Sequence, residues 1–219
     1  DESRKEEDNM TILEDGAWLG VSAVIGVCGE NFCSLLGDTR RTVNTSGDLY
    51  SFHDDNTSKV FKINKNLIYG VTGLVAKTET LLTPLSTIKD LSKATIDDAY
   101  NAVLADFEAK KYTMPKARNY IIGGRDLLGH FTLIYIHCNF DSYKPETQVF
   151  KPNANQFGVA CALPERLHDK IDKYIEMVEA ALSSCHTHGE MLNKVARIIG
   201  KIADIDDTVN HDIQAVNIF

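Results

Sequence analysis

Two pairs of short, almost unbroken apolar runs constrain this chain more than any other feature. The first pair is GVSAVIGVCG (20–29) and NFCSLLGD (31–38), joined by the turn Gly29-Glu30-Asn31. The second is SKVFKIN (58–64) and NLIYGVTG (66–73), hinged at Asn64-Lys65. Apolar runs of this length, bounded by Gly and Asn, read as strands folded into hairpins. The second run of each pair lacks the apolar–polar alternation of a half-exposed strand. Both therefore predict a sheet covered on its two faces.

The second half repeats the layout. NYIIGG (119–124) and HFTLIYIH (130–137) read as strands around the loop Arg125-Asp126-Leu127-Leu128-Gly129, followed by the shorter TQVFKP (147–152) and QFGVACA (156–162). Between the first two hairpins, RTVNTSGDLYSFHDDNT (41–57) is polar and turn-rich, and predicts one strand with a long excursion. After Gly73 an amphipathic stretch (74–92) predicts a helix ended or kinked by Pro84. Thr95-Ile96-Asp97-Asp98 has the form of a capping box, and Ile96, Ala99, Val103, Leu104 and Phe107 recur behind it at helical spacing. Two further stripes, Leu167/Ile171/Tyr174/Ile175/Val178 and Met191/Val195/Ile198/Ile199/Ile202, predict helices with one face in the core. A last strand, IQAVNIF (213–219), closes the chain. The order is strands, two helices, strands, two helices, strand. It predicts an α+β fold: a four-layer αββα sandwich of two stacked antiparallel sheets between helix pairs.

With 219 residues, 43% of them hydrophobic, the chain can bury one sizeable core. The expected division is an acidic tail over 1–19 and a single domain over 20–219. A net charge of −8 leaves no basic footprint for nucleic acid. No apolar run has the length of a membrane span, and the charged opening DESRKEEDNM lacks the apolar centre of a signal peptide. The expected location is the cytoplasm, with the nucleus as a second compartment. Five cysteines, an odd and unpatterned set, read as reduced thiols packed like small hydrophobes. Cys185-His186-Thr187-His188 reads as a helix start with exposed histidines, since no second ligand pair stands at a suitable spacing. Neither a metal nor a cofactor is expected.

In order along the chain, GDTR (37–40), SKVFKI…IYGVTGLVA (58–76) and NYIIGGRD (119–126) resemble the β-type subunits of the 20S proteasome, in the N-terminal nucleophile hydrolase superfamily. The resemblance runs from about Gly20 to Phe219. It includes the 14 positions from Lys59 to Gly73 and an alanine, Ala76, in the helix expected to follow. The extended N-terminal helix of α-type subunits is missing, which favours the β-type branch. In that family a threonine freed by self-cleavage attacks a peptide carbonyl, and its own α-amino group moves the proton. A lysine lowers the cost of ionising the hydroxyl, and an aspartate fixes that lysine.

Carried over residue by residue, the resemblance implies Lys59 as the lysine, Asp38 as its aspartate and Asp207 as a further supporting aspartate. Sixteen positions before Asp38, the family's interval, stands Ser22 in the place of the nucleophile. The chain departs from the pattern there: serine replaces threonine, and Val21 replaces the glycine before the cleaved bond. Valine resists backbone conformations that glycine tolerates. Serines of active members align near Val159 and Asn210, and the segment around Ser46–Asn56 is about five residues longer than usual. Read without the family, Asp38 and Arg40 form a surface ion pair or a turn stabiliser and Lys59 is solvated. Asp207 then belongs to an acidic loop with Asp204 and Asp206, and Ser22 is an ordinary strand serine.

Three functions follow as expectations. The first is a non-catalytic subunit of a proteasome-like assembly for protein degradation, partnered by related subunits in a homo- or hetero-oligomeric ring. The second is an active peptidase or amidohydrolase that cleaves peptide or protein substrates with Ser22 after losing residues 1–21. The third is a binding module that uses the old cleft as a ligand pocket.

Overall fold

The computed structural model describes residues 18–21, 23–46, 49–76, 79–113 and 117–219. Twelve strands are present among them: β1 (Trp18–Val21), β2 (Val24–Gly29), β3 (Phe32–Asp38), β4 (Arg41–Ser46), β5 (Leu49–Asp54), β6 (Val60–Asn64), β7 (Leu67–Ala76), β8 (Arg118–Arg125), β9 (Phe131–Asn139), β10 (Lys144–Phe150), β11 (Gly158–Ala162) and β12 (Ile213–Ile218). Three α-helices accompany them: α1 (Ile96–Lys110), α2 (Ile171–Ser183) and α3 (His188–Ala203).

The strands form two antiparallel sheets. The larger runs β10-β9-β8-β7-β1-β4-β5, with β6 also paired to β7, and the smaller runs β11-β2-β3-β12. Their facing side chains, among them Val24, Cys28, Leu35, Ile68, Ile121 and Leu133, make a buried seam. The opposite face of the larger sheet packs Tyr69, Tyr120 and Ile136 against Ala99, Val103 and Phe107 of α1. The opposite face of the smaller sheet packs Ile25, Val27 and Leu36 against Val178 of α2 and Val195 and Ile199 of α3. Both faces of β2 and β3 are thus covered, as their unbroken apolar runs require. Burying each aliphatic side chain of this kind contributes roughly 1.5–3 kcal/mol.

α1 begins where the sequence placed it. Thr95 Oγ1 accepts from Asp98 N at 3.1 Å, and Asp98 Oδ2 accepts from Thr95 N at 2.9 Å, the reciprocal pair of a capping box. The four-layer sandwich stands, with one change in its outer layer. The helix expected over 74–92 is not an α-helix: β7 continues through Ala76, and a short 3-10 helix spans Thr83–Thr87 with Pro84 in its first turn. α1 therefore shares its layer with a 3-10 turn rather than a second α-helix. Leu81 and Leu85 are buried there at a spacing that also suits an amphipathic helix, so spacing alone misleads. The second correction concerns 41–57, where β4 and β5 pair as a bulged antiparallel hairpin instead of one strand and an excursion.

β7 has two partners on one edge. Its first part pairs with β6, and Gly73–Ala76 pairs with β1. Gly73 stands opposite Val21 on that edge and opposite Arg118 of β8 on the other. Its φ of +100° is accessible to glycine at no steric cost, and a Cβ there would lie 2.6 Å from the Ala117 carbonyl oxygen. β1 in turn bridges β7 and β4, and enters the larger sheet at Trp18, two residues before the boundary expected at Gly20.

Candidate active site at the junction of the two sheets

β1 belongs to the larger sheet and β2 to the smaller, so the chain passes from one sheet to the other between Val21 and Val24. Ser22 itself lies outside the described residues. On either side of it, Val21 stands opposite Arg41 and Gly73, and Ala23 N donates to Asp38 Oδ1 at 3.0 Å.

Asp38 is the last residue of β3, where an apolar run ends on an acid. Its amide donates to the Ala23 carbonyl at 3.3 Å, which continues the β2–β3 pairing beyond the strand end. Lys59 immediately precedes β6, and its carbonyl accepts from Val71 N at 3.1 Å, tying it to β7. One residue therefore comes from each sheet. Lys59 Nζ meets Asp38 Oδ2 at 2.6 Å with both side chains fully buried. Oδ2 also accepts from Arg40 N at 3.0 Å. Two main-chain donors and one ammonium thus satisfy the carboxylate, the kind of compensation a buried ion pair requires. Burial drives the Lys59 pKa below its ordinary 10.5, with the Asp38 charge opposing the shift.

A second set of polar contacts closes over this pair. The Arg40 guanidinium forms a fork on Asp55, Nε to Oδ1 at 2.8 Å and Nη2 to Oδ2 at 3.2 Å, and its Nη1 donates to the Asp207 carbonyl at 2.9 Å. The bonded Arg40 holds the Asp55 carboxyl below its ordinary range. Thr39 N donates to Asn210 Oδ1 at 3.1 Å, and Asn210 Nδ2 returns a bond to Thr39 Oγ1 at 3.1 Å. Asn210 therefore spends its amide holding the strand end beside Asp38.

The remaining residues singled out from sequence are also placed. Asp207 reaches Arg166 at 3.2 Å with its side chain 87% exposed, and meets the site through its main-chain carbonyl. The buried carboxylate of that run is Asp206, which accepts from Thr208 N and Oγ1 at 2.9 and 2.6 Å. Val159 packs among the apolar side chains beneath α2 and α3. Asp38 is not the surface residue that a reading without the family suggests: its side chain is fully buried, and its carboxylate accepts from the Arg40 amide. Asp55 and β1 were not anticipated. Asp55 lies in the polar segment 41–57, where nothing in the sequence separates one aspartate from the next. Trp18-Leu19-Gly20-Val21 is too short to announce a strand of its own. The Cys185–His188 segment starts α3, with Thr187 Oγ1 accepting from Glu190 N at 3.2 Å. Among the described residues, no group of three or more His, Cys, Asp or Glu could hold a metal ion.

Chemically, this arrangement holds a desolvated ammonium in a fixed position beside the point where the chain changes sheets. Such a group stabilises negative charge developing on a neighbouring oxygen.

No protein-family model matches the chain, and no curated protein matches it either. Among solved structures, it is similar to eukaryotic HslV from Trypanosoma brucei, with a TM-score of 0.54 at 13% identity, over 90% of this chain and 99% of that one. At that identity the likeness is one of fold. The fold is the four-layer sandwich of the N-terminal nucleophile hydrolase type.

Proposed function

We propose that this chain is a divergent, non-catalytic subunit resembling the proteasome β type, which uses the sandwich as a building block of a proteasome-like core assembly for protein degradation. The observation that carries this reading is β1. Residues 18–21 pair with β4 on one flank and β7 on the other, four register positions each. Loss of residues 1–21 would leave both strands with unpaired edges where β1 now lies. A chain that retains those residues also keeps Ser22 in peptide linkage, without the free α-amino group that the family's chemistry uses. Val21 before Ser22 supports the same reading, because a β-branched residue replaces glycine at the bond that would have to break.

On this reading the buried Asp38–Lys59 pair is a structural pin between the sheets. Related subunits, of the same or different sequence, are the expected ring partners, and the cytoplasm and nucleus the expected compartments. The test is the intact mass of the purified protein together with its N-terminal residue. Retention of the segment before Ser22 agrees with the proposal, and a chain beginning at Ser22 contradicts it.

One observation favours the alternative of an active peptidase. The Asp38–Lys59 pair has the geometry that the resemblance implies for a working site. In that case residues 1–21 are lost spontaneously and an electrophilic peptide labels Ser22 covalently. A Ser22→Ala protein that still lost its N-terminus and still turned over peptide would eliminate it.

A further inference from the structure

Cys28 and Cys33 stand directly opposite each other in the β2–β3 hairpin, one residue back from the turn on each side. The hairpin turns on two exposed residues, Glu30 and Asn31. In a two-residue hairpin the flanking pair, here Gly29 and Phe32, exchanges the ladder hydrogen bonds. The next pair is then the closer, non-hydrogen-bonded kind, with Cα atoms about 4.5 Å apart. That lies within the roughly 4.4–6.8 Å that a disulfide spans. Opposed residues of a hairpin share a face, and this pair faces the seam between the sheets beside Leu35, Ile68 and Leu133. The other cysteines lie in different layers. Cys138 is under α1, and Cys161 and Cys185 are on the helical side of the smaller sheet. All five are free thiols.

We propose that Cys28 and Cys33 form a dithiol site that closes reversibly into a cross-strand disulfide, with a small-molecule disulfide as oxidant. In the first step one cysteine loses its proton to water and its thiolate attacks a sulfur of the oxidant. The oxidant's S–S bond breaks, a mixed disulfide forms and one small thiolate departs. The second cysteine then loses its proton, attacks the protein sulfur of the mixed disulfide and releases the second small thiolate. Two protein thiols are oxidised and one disulfide is reduced to two thiols, which recover the two protons.

The closed seam keeps the pair unreactive at rest. Both side chains are fully buried, and burial, followed by the neighbouring Cys28 thiol, raises the Cys33 pKa well above its ordinary value. Reaction proceeds when the two-residue tip opens, so it is slow and confined to this pair by the register. Once formed, the bond fastens the hairpin whose far end carries Ala23 and Asp38. The proposal rests on strand register and holds whether or not the chain is catalytic.

The experiment incubates the full chain with oxidised glutathione, then alkylates free thiols in denaturant and digests with trypsin. Both cysteines fall in one tryptic peptide, 6–40 (22–40 in a chain that begins at Ser22), because no Lys or Arg intervenes. The expected product is that peptide lacking two hydrogens and any alkyl group, restored by reductant and unchanged in a Cys185→Ser protein. Thermal unfolding should shift upward on oxidation in the unsubstituted chain and not in Cys33→Ala. A peptide alkylated at both positions, a glutathione retained on either cysteine, or a link to Cys138, Cys161 or Cys185 would overturn the proposal. The peptide readout on the unsubstituted chain decides the matter even if Cys33→Ala does not fold.

Discussion

Lys59 Nζ lies 2.6 Å from Asp38 Oδ2, and each residue is contributed by a different sheet. The pair fastens the seam at the point where the chain crosses between sheets, and neither partner has water to fall back on. Its energetics therefore depend on both charges being present together.

Removing one partner should be costly. Lys59→Ala or Asp38→Ala leaves an uncompensated buried charge and is expected to destabilise the fold by about 3–5 kcal/mol. Urea unfolding followed by circular dichroism reads this directly. An Asp38→Leu/Lys59→Met double variant, in which neither charge remains, should recover part of the loss. Equal losses in the single and double variants would argue against the charge-pair account.

Gly73 and Gly129 both hold positive φ, at +100° and +83°, but their surroundings differ. A Cβ at Gly73 would meet the Ala117 carbonyl at 2.6 Å and Arg118 Cα at 2.8 Å, whereas nothing lies within 4 Å at Gly129. Gly129→Ala should cost on the order of 1 kcal/mol from backbone conformation alone. Gly73→Ala should cost clearly more, because main chain must move at the junction of β1, β7 and β8. Unfolding midpoints of the two variants make the comparison, and equal midpoints would contradict it.

Much of this architecture is legible in the sequence because apolar runs and caps act locally. The β2–β3 and β6–β7 hairpins, the capping box at Thr95 and the stripes of α2 and α3 all follow from residues near one another. What escapes is decided at a distance. Leu74–Ala76 extends β7 because β1 supplies a partner there, which no local pattern reveals. Leu81 and Leu85 keep helical spacing although one lies in a turn and the other in a 3-10 helix that has Pro84 in its first turn. At the site, the order of GDTR and SKVFKI brings out Asp38 and Lys59 only through a family resemblance. The choice between Asp206 and Asp207 as the buried acid turns on the loop after α3. Two adjacent aspartates look alike until that loop directs one side chain inward.

Two half-buried imidazoles should make stability fall in mild acid. Burial lowers the pKa of His137, with neighbouring His168 adding to the shift and Glu146 opposing it, and burial lowers that of His188. Below the ordinary value of 6.5 the unfolded chain takes up protons that the folded rings still refuse, so stability decreases as pH falls through that window. It levels off once the folded rings also titrate. His188→Asn and His137→Asn should flatten the slope when unfolding free energy is measured between pH 7 and 5 (about the range in which histidine titrates).

The capping box offers a local control. Thr95→Ala removes the side-chain oxygen that accepts from Asp98 N and should cost about 1 kcal/mol. Hydrogen exchange should rise most in the first turn of α1. A uniform rise across both sheets would indicate a wider role.

The central claim is that the chain remains joined through Ser22, with β1 seated between β4 and β7. The most direct measurement is the intact mass and N-terminal residue of the protein after purification without protease. The account predicts that Trp18–Val21 is still attached. A mature chain beginning at Ser22 would contradict it.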